Sequence, residues 1–508
     1  MQRKKAVIIG SGLGGLGVGV MLAGQGYKVT VLEKNRQPGG ALQIFSRDKT
    51  IIDTGVHYLG SLGADEIIGT YFRYWGIGDK LQPEKLDEAC FDLVSLPSGN
   101  FPFAQGFERF ALTLANYFPQ EKDNLMRYVR ALKEVTDYFP VCRMEPGLVN
   151  PSENKWMQIS AKSWIESFVT DPLLRHILAG NHMLYEGRSE STPAYVHAMT
   201  TASYIQSAWR LPSGGARIAR FLVDELKNRG GEFLNYKEVV ALKGKDGILK
   251  TAHTADGDTF EADIFVGGIH PVLLYDLLEE GLVRSGYKNR LKSLPNTLGT
   301  FTAHCILKPG AVQYQNHNLY GYSTDDVWQA ASYTEKNWPL SFSAFYSRKP
   351  GETHAECINL MTLMRFDEVE KWGGTFRTYP HFSDSRGADY EMWKQDKIAG
   401  ILNQAEEKIP GLKAGIQSVY ASTPLSYRDY LGSPNGSMYG IMKDVRNPYA
   451  AVFSPRTKVS NLFMTGQNMN LHGIAGVTIS AVVTAGEIVG HEHLMADVRK
   501  KTGLSVPG

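Results

Sequence analysis

Residues 6–40, AVIIGSGLGGLGVGVMLAGQGYKVTVLEKNRQPGG, govern how the rest of the chain is read. The stretch opens on a β-branched run, Val7-Ile8-Ile9, the composition of a buried strand. Gly10, Gly12 and Gly15 follow in G-x-G-x-x-G spacing, ahead of an uncharged helical segment that reaches to about Ala23. A second strand is expected at residues 28–32, and it ends on Glu33. Strand, glycine turn, helix and a strand with a terminal acid form the order that a dinucleotide-binding unit requires. Gly10 permits the tight turn, Gly12 lets backbone N–H groups approach a pyrophosphate, and Gly15 lets helix and strand pack closely. The helix N-terminus then presents free N–H groups and the positive end of its dipole to phosphate charge. Glu33, about 20 residues beyond the glycines, is placed to accept ribose hydroxyls.

The same composition suits a cleaved signal peptide or a membrane anchor, since residues 1–5 are basic and residues 6–27 carry no charge. Neither would need glycines in patterned positions or a strand that ends on an acid. The unit also continues into Pro38-Gly39-Gly40, where a glycine pair brings more backbone to a bulky dinucleotide, and then into Asp53-Thr54-Gly55. The dinucleotide reading is therefore preferred.

By size alone, 508 residues correspond to about three domains, and two interleaved lobes fit equally well. A hydrophobic fraction of 43% supports a sizeable core. A net charge of +2, without a long basic cluster, gives no general attraction to nucleic acid, and no nucleic-acid partner is expected. Cys90, Cys142, Cys305 and Cys357 are scattered without C-x-x-C or zinc spacing, which reads as reduced thiols in a cytoplasmic protein. His491-Glu492-His493 is not H-E-x-x-H, and no metal site is expected.

Further along, residues 50–60 (TIIDTGVHYLG) read as a strand, a turn at 53–55, and then His57 and Tyr58. Residues 61–206 change to helical patterns rich in aromatics: Phe101, Phe103, Phe107, Phe110, Tyr117 and Phe118, followed by Trp156, Trp164 and Phe168. Two readings are open for this cluster, ordinary core or an apolar pocket or membrane-facing surface. Residues 210–229 form a proline–glycine turn and an amphipathic helix, which Gly230-Gly231 ends. A strand over 232–242 containing Val239-Val240, a hairpin at 248–260 and a strand at 263–266 read as a return to the nucleotide-binding sheet. Strand-like residues 358–363 and a helix over 389–408, stopped by Pro410-Gly411, come next.

Near the C-terminus a strand at 461–465 leads through Gly466-Gln467-Asn468 to Gly473-Ile474-Ala475-Gly476, which opens a long uncharged helix. A membrane span competes as a reading, but Glu487 interrupts the run. The preferred reading is a buried helix aimed at a flavin. Its N-terminal N–H groups would stabilise the negative charge that reduction places near N1–C2=O.

At these segments the chain resembles the phytoene desaturase, carotenoid isomerase and retinol saturase superfamily of FAD-dependent enzymes. The resemblance spans nearly the whole length. It is carried by the N-terminal unit and by residues 53–60, 211–215, 262–271, 423–441 and 462–477. The wording DTGVHYLG, TPLSYRDYLGSPNGSMYGI and LFMTGQNMNLHGIAG is most similar to the retinol saturase-like branch. The resemblance implies an α/β protein in which a Rossmann-type FAD-binding domain, like that of glutathione reductase, is interleaved with a mixed α+β substrate-binding domain. The FAD domain would comprise residues 1–90, 209–286 and 456–508, and the substrate domain residues 91–208 and 287–455.

The implied FAD contacts are Gly10, Gly12, Gly14 and Gly15 in the first turn, Glu33 and Lys34 after the second strand, and Gly39, Gly40 and Ala41. Gly55, Val56 and His57 would lie beside the isoalloxazine, and Val239 and Val240 would come from the returning segment. Gly466, Gln467, Gly473, Ile474, Ala475, Gly476 and Val477 complete the set. His57, Tyr58, His472 and Tyr427 are the catalytic candidates. Each also has a structural reading, because a histidine in such a turn often only hydrogen-bonds backbone. Two departures stand out: Gly466-Gln467-Asn468 where retinol saturases tend to carry Gly-Gln-Asp, and Ile269-His270-Pro271 where desaturases commonly carry Asp or Asn in the turn before proline.

The resemblance implies saturation of a carbon–carbon double bond of an apolar retinoid- or carotenoid-like polyene. Flavin N5 would deliver a hydride, and a protein acid or water would protonate the other carbon. A carotenoid desaturase, a non-redox cis–trans isomerase and a lipid carrier without flavin are the alternatives. Peripheral contact with the inner face of a membrane is implied by the residence of such substrates. With a single dinucleotide fingerprint, a dedicated NADPH domain is not expected; the electron donor and the oligomeric state are left open.

Overall fold

The computed structural model describes residues 3–212, 214–378 and 385–504. Residue 213, within the 211–215 motif, lies outside them. Strand Lys5–Ile9 is buried from Ala6 onward on both faces, which is why its sequence is a continuous apolar run rather than an alternation. It pairs in parallel with Lys28–Leu32 on one side and Ile264–Gly267 on the other. Glu232–Leu234 and Leu462–Met464 extend the sheet outward, again in parallel. Three stretches far apart in sequence thus build one five-stranded Rossmann-type sheet.

Helices Leu13–Gly24, Ala216–Asn228 and Gly473–Val489 accompany this sheet. The first is buried at nearly every position and the last through most of its length, so the absence of charge reflects enclosure by protein. Among the described residues no helix is long and apolar enough to cross a membrane.

The expected strand over 232–242 divides. Glu232–Leu234 joins the parallel sheet, whereas Val239–Lys245 forms an antiparallel meander with Ile248–Thr254 and Thr259–Glu261.

The second large sheet has seven strands in the order Ile416–Ser422, Gly299–Leu307, Cys357–Met364, Ser341–Ser347, Asn318–Tyr322, Asp92–Leu96 and Gly99–Phe103. Neighbours run antiparallel except Asp92–Leu96, which lies parallel to Asn318–Tyr322 with Asp92 opposite Asn318. These two strands from residues 92–103 interrupt the stretch expected to be helical. Their insertion places a fully buried acidic residue, Asp92, at the start of the strand next to the sheet's edge.

The aromatic cluster resolves as core. Phe101, Phe103, Phe110, Phe118, Trp156 and Trp164 are buried, Phe107 and Phe168 are partly buried, and Tyr117 alone of the group is exposed, at 49%. Edge-to-face pairs such as Phe103–Phe110 (5.0 Å) and Trp164–Phe168 (5.0 Å) hold it together. The reading of residues 101–118 as a membrane-facing surface is therefore corrected: these rings face the protein's own helices.

Candidate active site

A cavity of about 490 Å³ opens at the C-terminal ends of the parallel strands and reaches to the seven-stranded sheet. This is where ligands of open α/β sheets bind. At one end stands the first glycine turn. Gly10 has φ +91°, and a Cβ on Gly15 would collide with the Gly10 carbonyl oxygen, so helix and strand touch through glycine. A Cβ on Gly12 would meet nothing within 4 Å, because that position faces the cavity. Gly12 caps a helix with no side-chain cap and no acid in its first turn, which leaves the N-terminal N–H groups free for a ligand. Gly14 and Ala41 also line the cavity. Gly39 N–H donates to the Ser11 carbonyl (3.0 Å), and a Cβ on Gly40 would lie 3.3 Å from Gly12 Cα, so the second glycine pair is laid on the first turn.

Glu33 is only 6% exposed. Its Oε2 accepts from Ser11 N–H (3.0 Å) and Ser11 Oγ (2.6 Å), and its Oε1 accepts from Asn35 N–H (2.8 Å). Three of the roughly four acceptor positions of a carboxylate are thereby used within the protein. Glu33 ties the glycine turn to the second strand and keeps one acceptor position for a ligand. Ser11, an unspecified position in the glycine motif, is a partner that sequence reasoning missed. Lys34 lines the cavity and donates through Nζ to the Asp429 carbonyl (3.0 Å). Val239 is buried against the cavity, whereas Val240 is 49% exposed on the opposite face of its strand, and this alternation removes it from the site.

The C-terminal helix contributes a second uncapped N-terminus, again without a side-chain cap or an acid in its first turn. Gly466 (φ +110°) and Gly473 (φ +71°) have nothing within 4 Å of a built Cβ, and both line the cavity with Gln467, Ile474 and Val477. Ala475 and Gly476 do not line it. A Cβ on Gly476 would collide with the Leu471 carbonyl, so this glycine serves the close return of the chain.

Asn468 accepts from Ile441 N–H (2.8 Å), a bond an amide makes as well as a carboxylate would. Lys443, also missed in the sequence, donates to the carbonyls of Asn468 (3.0 Å) and Met469 (2.8 Å), and burial pushes its ammonium down to about 7. His270 Nδ1 accepts from Val272 N–H (3.2 Å) and caps the helix Pro271–Asp276, the task an Asp or Asn performs elsewhere.

Gly55, Val56, His57, Tyr58 and Tyr427 line the far end. His57 lies flat on Phe345, with centroids 4.3 Å apart, and its Nε2 is buried without a hydrogen-bond partner. Burial, reinforced by His304 and Arg210, pushes its pKa down to about 3. His57 is therefore a neutral ring at physiological pH, which favours its structural reading over a role as proton donor. His472 stands outside the cavity lining, stacked on Tyr439 (4.1 Å), and burial with nearby Lys443 brings it to about 3 as well. Tyr427 donates to the Thr54 carbonyl (3.4 Å), and burial raises its pKa.

Tyr58 differs from these. Its hydroxyl is 2.9 Å from Asp92 Oδ2 and 2.7 Å from the Tyr320 hydroxyl, and Tyr320 also lines the cavity. Asp92, fully buried, also accepts from Asn318 Nδ2 (2.9 Å) and Asn181 Nδ2 (3.4 Å), and burial pushes its carboxyl up to about 7. None of Asp92, Tyr320, Asn318 or Asn181 belongs to a motif. The available signal was an acid set in an apolar strand, Phe91-Asp92-Leu93-Val94. Met183, Phe345, Met361 and Met438 form apolar wall around these hydroxyls. The arrangement combines an anion-binding glycine cradle, a second helix N-terminus and an apolar chamber with transferable hydroxyl protons.

Comparison with known proteins agrees with this geometry. The NAD(P)-binding Rossmann-like domain family matches residues 8–75. All-trans-retinol 13,14-reductase of Macaca fascicularis is 24% identical, over 98% of this chain and 87% of its own length. Phytoene desaturase (lycopene-forming) of Pantoea ananas is 21% identical, over 95% of this chain and 98% of its own. Among solved structures, an oxidoreductase from Methanosarcina mazei shares the fold with a TM-score of 0.64 at 14% identity, covering 94% of this chain and 98% of that one. Over 95% or more of its length the chain is thus similar to a retinol reductase, a carotenoid desaturase and a prolycopene isomerase alike, the phytoene desaturase, carotenoid isomerase and retinol saturase superfamily.

Proposed function

We propose that the protein is a FAD-dependent oxidoreductase that saturates a carbon–carbon double bond of an apolar polyene, retinoid- or carotenoid-like. The observation that carries this reading is the meeting, in one cavity, of two uncapped helix N-termini with an apolar chamber whose wall bears the Tyr58 and Tyr320 hydroxyls. The residues fit FAD. Gly12 leaves backbone open where a side chain would stand, as a pyrophosphate requires, and Glu33 keeps an acceptor position for a ribose hydroxyl. Gly466 and Gly473 leave the same openness before the C-terminal helix, whose N–H groups suit the N1–C2=O edge of an isoalloxazine. In this reading the FAD domain comprises residues 1–90, 209–286 and 456–508.

FAD, when bound, supplies a hydride. The chain supplies the rest. Met183, Phe345, Met361 and Met438 take up the polyene and exclude water. His57, neutral and stacked on Phe345, shapes the chamber beside the reacting carbons. A hydroxyl of the Tyr58–Tyr320 pair delivers the proton that completes saturation.

The test is to purify the protein, record its flavin spectrum, reduce it chemically without oxygen and add all-trans-retinol. Reoxidised flavin and a product heavier by one hydrogen molecule are expected. A geometric isomer of unchanged mass would make the protein an isomerase, and protein purified without flavin would overturn the reading.

A further inference from the structure

We propose that Asp92 is the proton source of this reduction, and that its proton reaches the substrate through the paired hydroxyls of Tyr58 and Tyr320; the inference rests on the reductase reading above. Asp92 opens a strand wedged in parallel beside Asn318–Tyr322, which sets its carboxyl behind the cavity wall formed by the two tyrosines. Oδ1 is fixed by Asn318 Nδ2 (2.9 Å), whose own Oδ1 accepts from Arg210 Nη2 (2.8 Å). Oδ2 faces the Tyr58 hydroxyl at 2.9 Å, with Asn181 Nδ2 at 3.4 Å, and Tyr58 faces Tyr320 at 2.7 Å.

Counting hydrogens along this chain gives two states. With Asp92 ionised, the Tyr58 hydrogen is committed to Oδ2 and the Tyr320 hydrogen to the Tyr58 oxygen, so none points into the cavity. With a proton on Oδ2, Asp92 donates to Tyr58, Tyr58 donates to Tyr320, and the Tyr320 hydrogen is released towards the substrate. In the transfer, a substrate C–H bond forms as the Tyr320 O–H bond breaks. Tyr58 reprotonates Tyr320, and Asp92 reprotonates Tyr58. The other carbon receives the hydride, so one proton and one hydride add across the double bond and Asp92 is left a carboxylate. Water entering the cavity after product leaves restores the proton.

A purely structural network has no need of an acid here. An asparagine at position 92 would still accept from Asn318 and could donate to Tyr58, giving up only the 3.4 Å contact from Asn181, without an unneutralised buried carboxylate. The groups facing Asp92 are Tyr58, Tyr320 and Tyr204, the Cys90 thiol (Sγ to the Asp92 carbonyl, 3.6 Å) and, through Asn318, Arg210. Burial outweighs Arg210 and the hydrogen bonds, holding the carboxyl near neutrality, where both states are populated.

The test compares wild-type holoprotein with Asp92→Asn, whose amide keeps the hydrogen-bond chain but has no acidic proton to pass on. Infrared difference spectra across neutral pH read the protonated-carboxyl carbonyl band directly, without turnover. Asp53→Asn serves as the reference, because burial also raises Asp53 to about 7. In Asp92→Asn, part of this band should vanish. Reoxidation of reduced protein by all-trans-retinol should slow by roughly 10²–10⁴-fold at unchanged flavin content, and the alkaline fall of the wild-type rate should disappear. Tyr320→Phe, which keeps the carboxyl and deletes only the terminal hydroxyl, should be slowed similarly and stands in should Asp92→Asn not fold. An unchanged rate and pH profile, or an unchanged infrared titration, would overturn the relay. A wild type that reduces no polyene overturns the reductase reading instead, and the infrared arm then decides separately whether Asp92 titrates into the tyrosine pair.

Discussion

The Tyr58 hydroxyl lies 2.9 Å from Oδ2 of Asp92, and the three side chains bonded to that carboxylate, Tyr58, Asn181 and Asn318, are all neutral. The acid is therefore held at a cost to the fold. Its pKa rises from 3.8 to about 7 on folding. Between those values the folded chain binds more protons than the unfolded chain, so this group's contribution to stability falls as pH rises through the window. Asp92→Asn cannot ionise. At pH 8 it should be more stable than wild type, by on the order of a few kcal/mol in denaturant unfolding, and the gain should shrink towards pH 4. A wild type that gains on the variant as pH rises would contradict this.

Gly12 and Gly15 separate ligand approach from packing. Gly12 has extended backbone (φ −62°, ψ 170°) and open space where a Cβ would stand, so Gly12→Val should fold with a midpoint close to wild type and lose flavin. Gly15→Ala drives a methyl into the Gly10 carbonyl and should cost on the order of 3 kcal/mol of stability. Thermal melts and flavin absorbance measured together check both. Stoichiometric flavin in Gly12→Val would remove that position from the cofactor site.

Glu33→Gln leaves one acceptor oxygen where two now hold Ser11 and Asn35. The glycine turn should loosen, and flavin should bind roughly 10–100-fold more weakly, the loss of about 1.5–3 kcal/mol for hydrogen bonds to a charged group. Titration of the flavin-free protein with FAD, followed by flavin fluorescence, measures it. Equal affinity would show that Glu33 serves only the fold.

His57→Ala removes the ring stacked on Phe345 and widens the chamber. Because burial keeps this imidazole neutral down to about pH 3, the variant should change substrate affinity while leaving the pH profile between 5 and 9 in place. A profile that loses a limb in that range would return His57 to the proton-transfer step.

The parts of the fold legible in the sequence were those whose causes are local. The residue 6–40 unit announces itself because a buried β-branched strand, a glycine turn and an uncharged helix lie in immediate succession. The helix Ala388–Lys408 was visible for the same reason. The place of strand Asp92–Leu96 in the large sheet was not, because although it forms a local hairpin with Gly99–Phe103, its other partner, Asn318–Tyr322, lies more than two hundred residues away. Val240 was misassigned because which of two neighbouring valines faces a ligand depends on the sheet they join. Asp92 and Tyr320 were invisible as a pair because neither belongs to a motif, and only the packed sheet brings them to either side of Tyr58.

The most direct measurement is the mass of the product formed when reduced holoprotein acts on all-trans-retinol in deuterated water. Addition of a proton from exchangeable hydroxyls predicts a saturated product carrying at least one deuterium, on the carbon that faces the Tyr58–Tyr320 pair. Recovery of an unsaturated compound with the mass of the starting material would contradict the account.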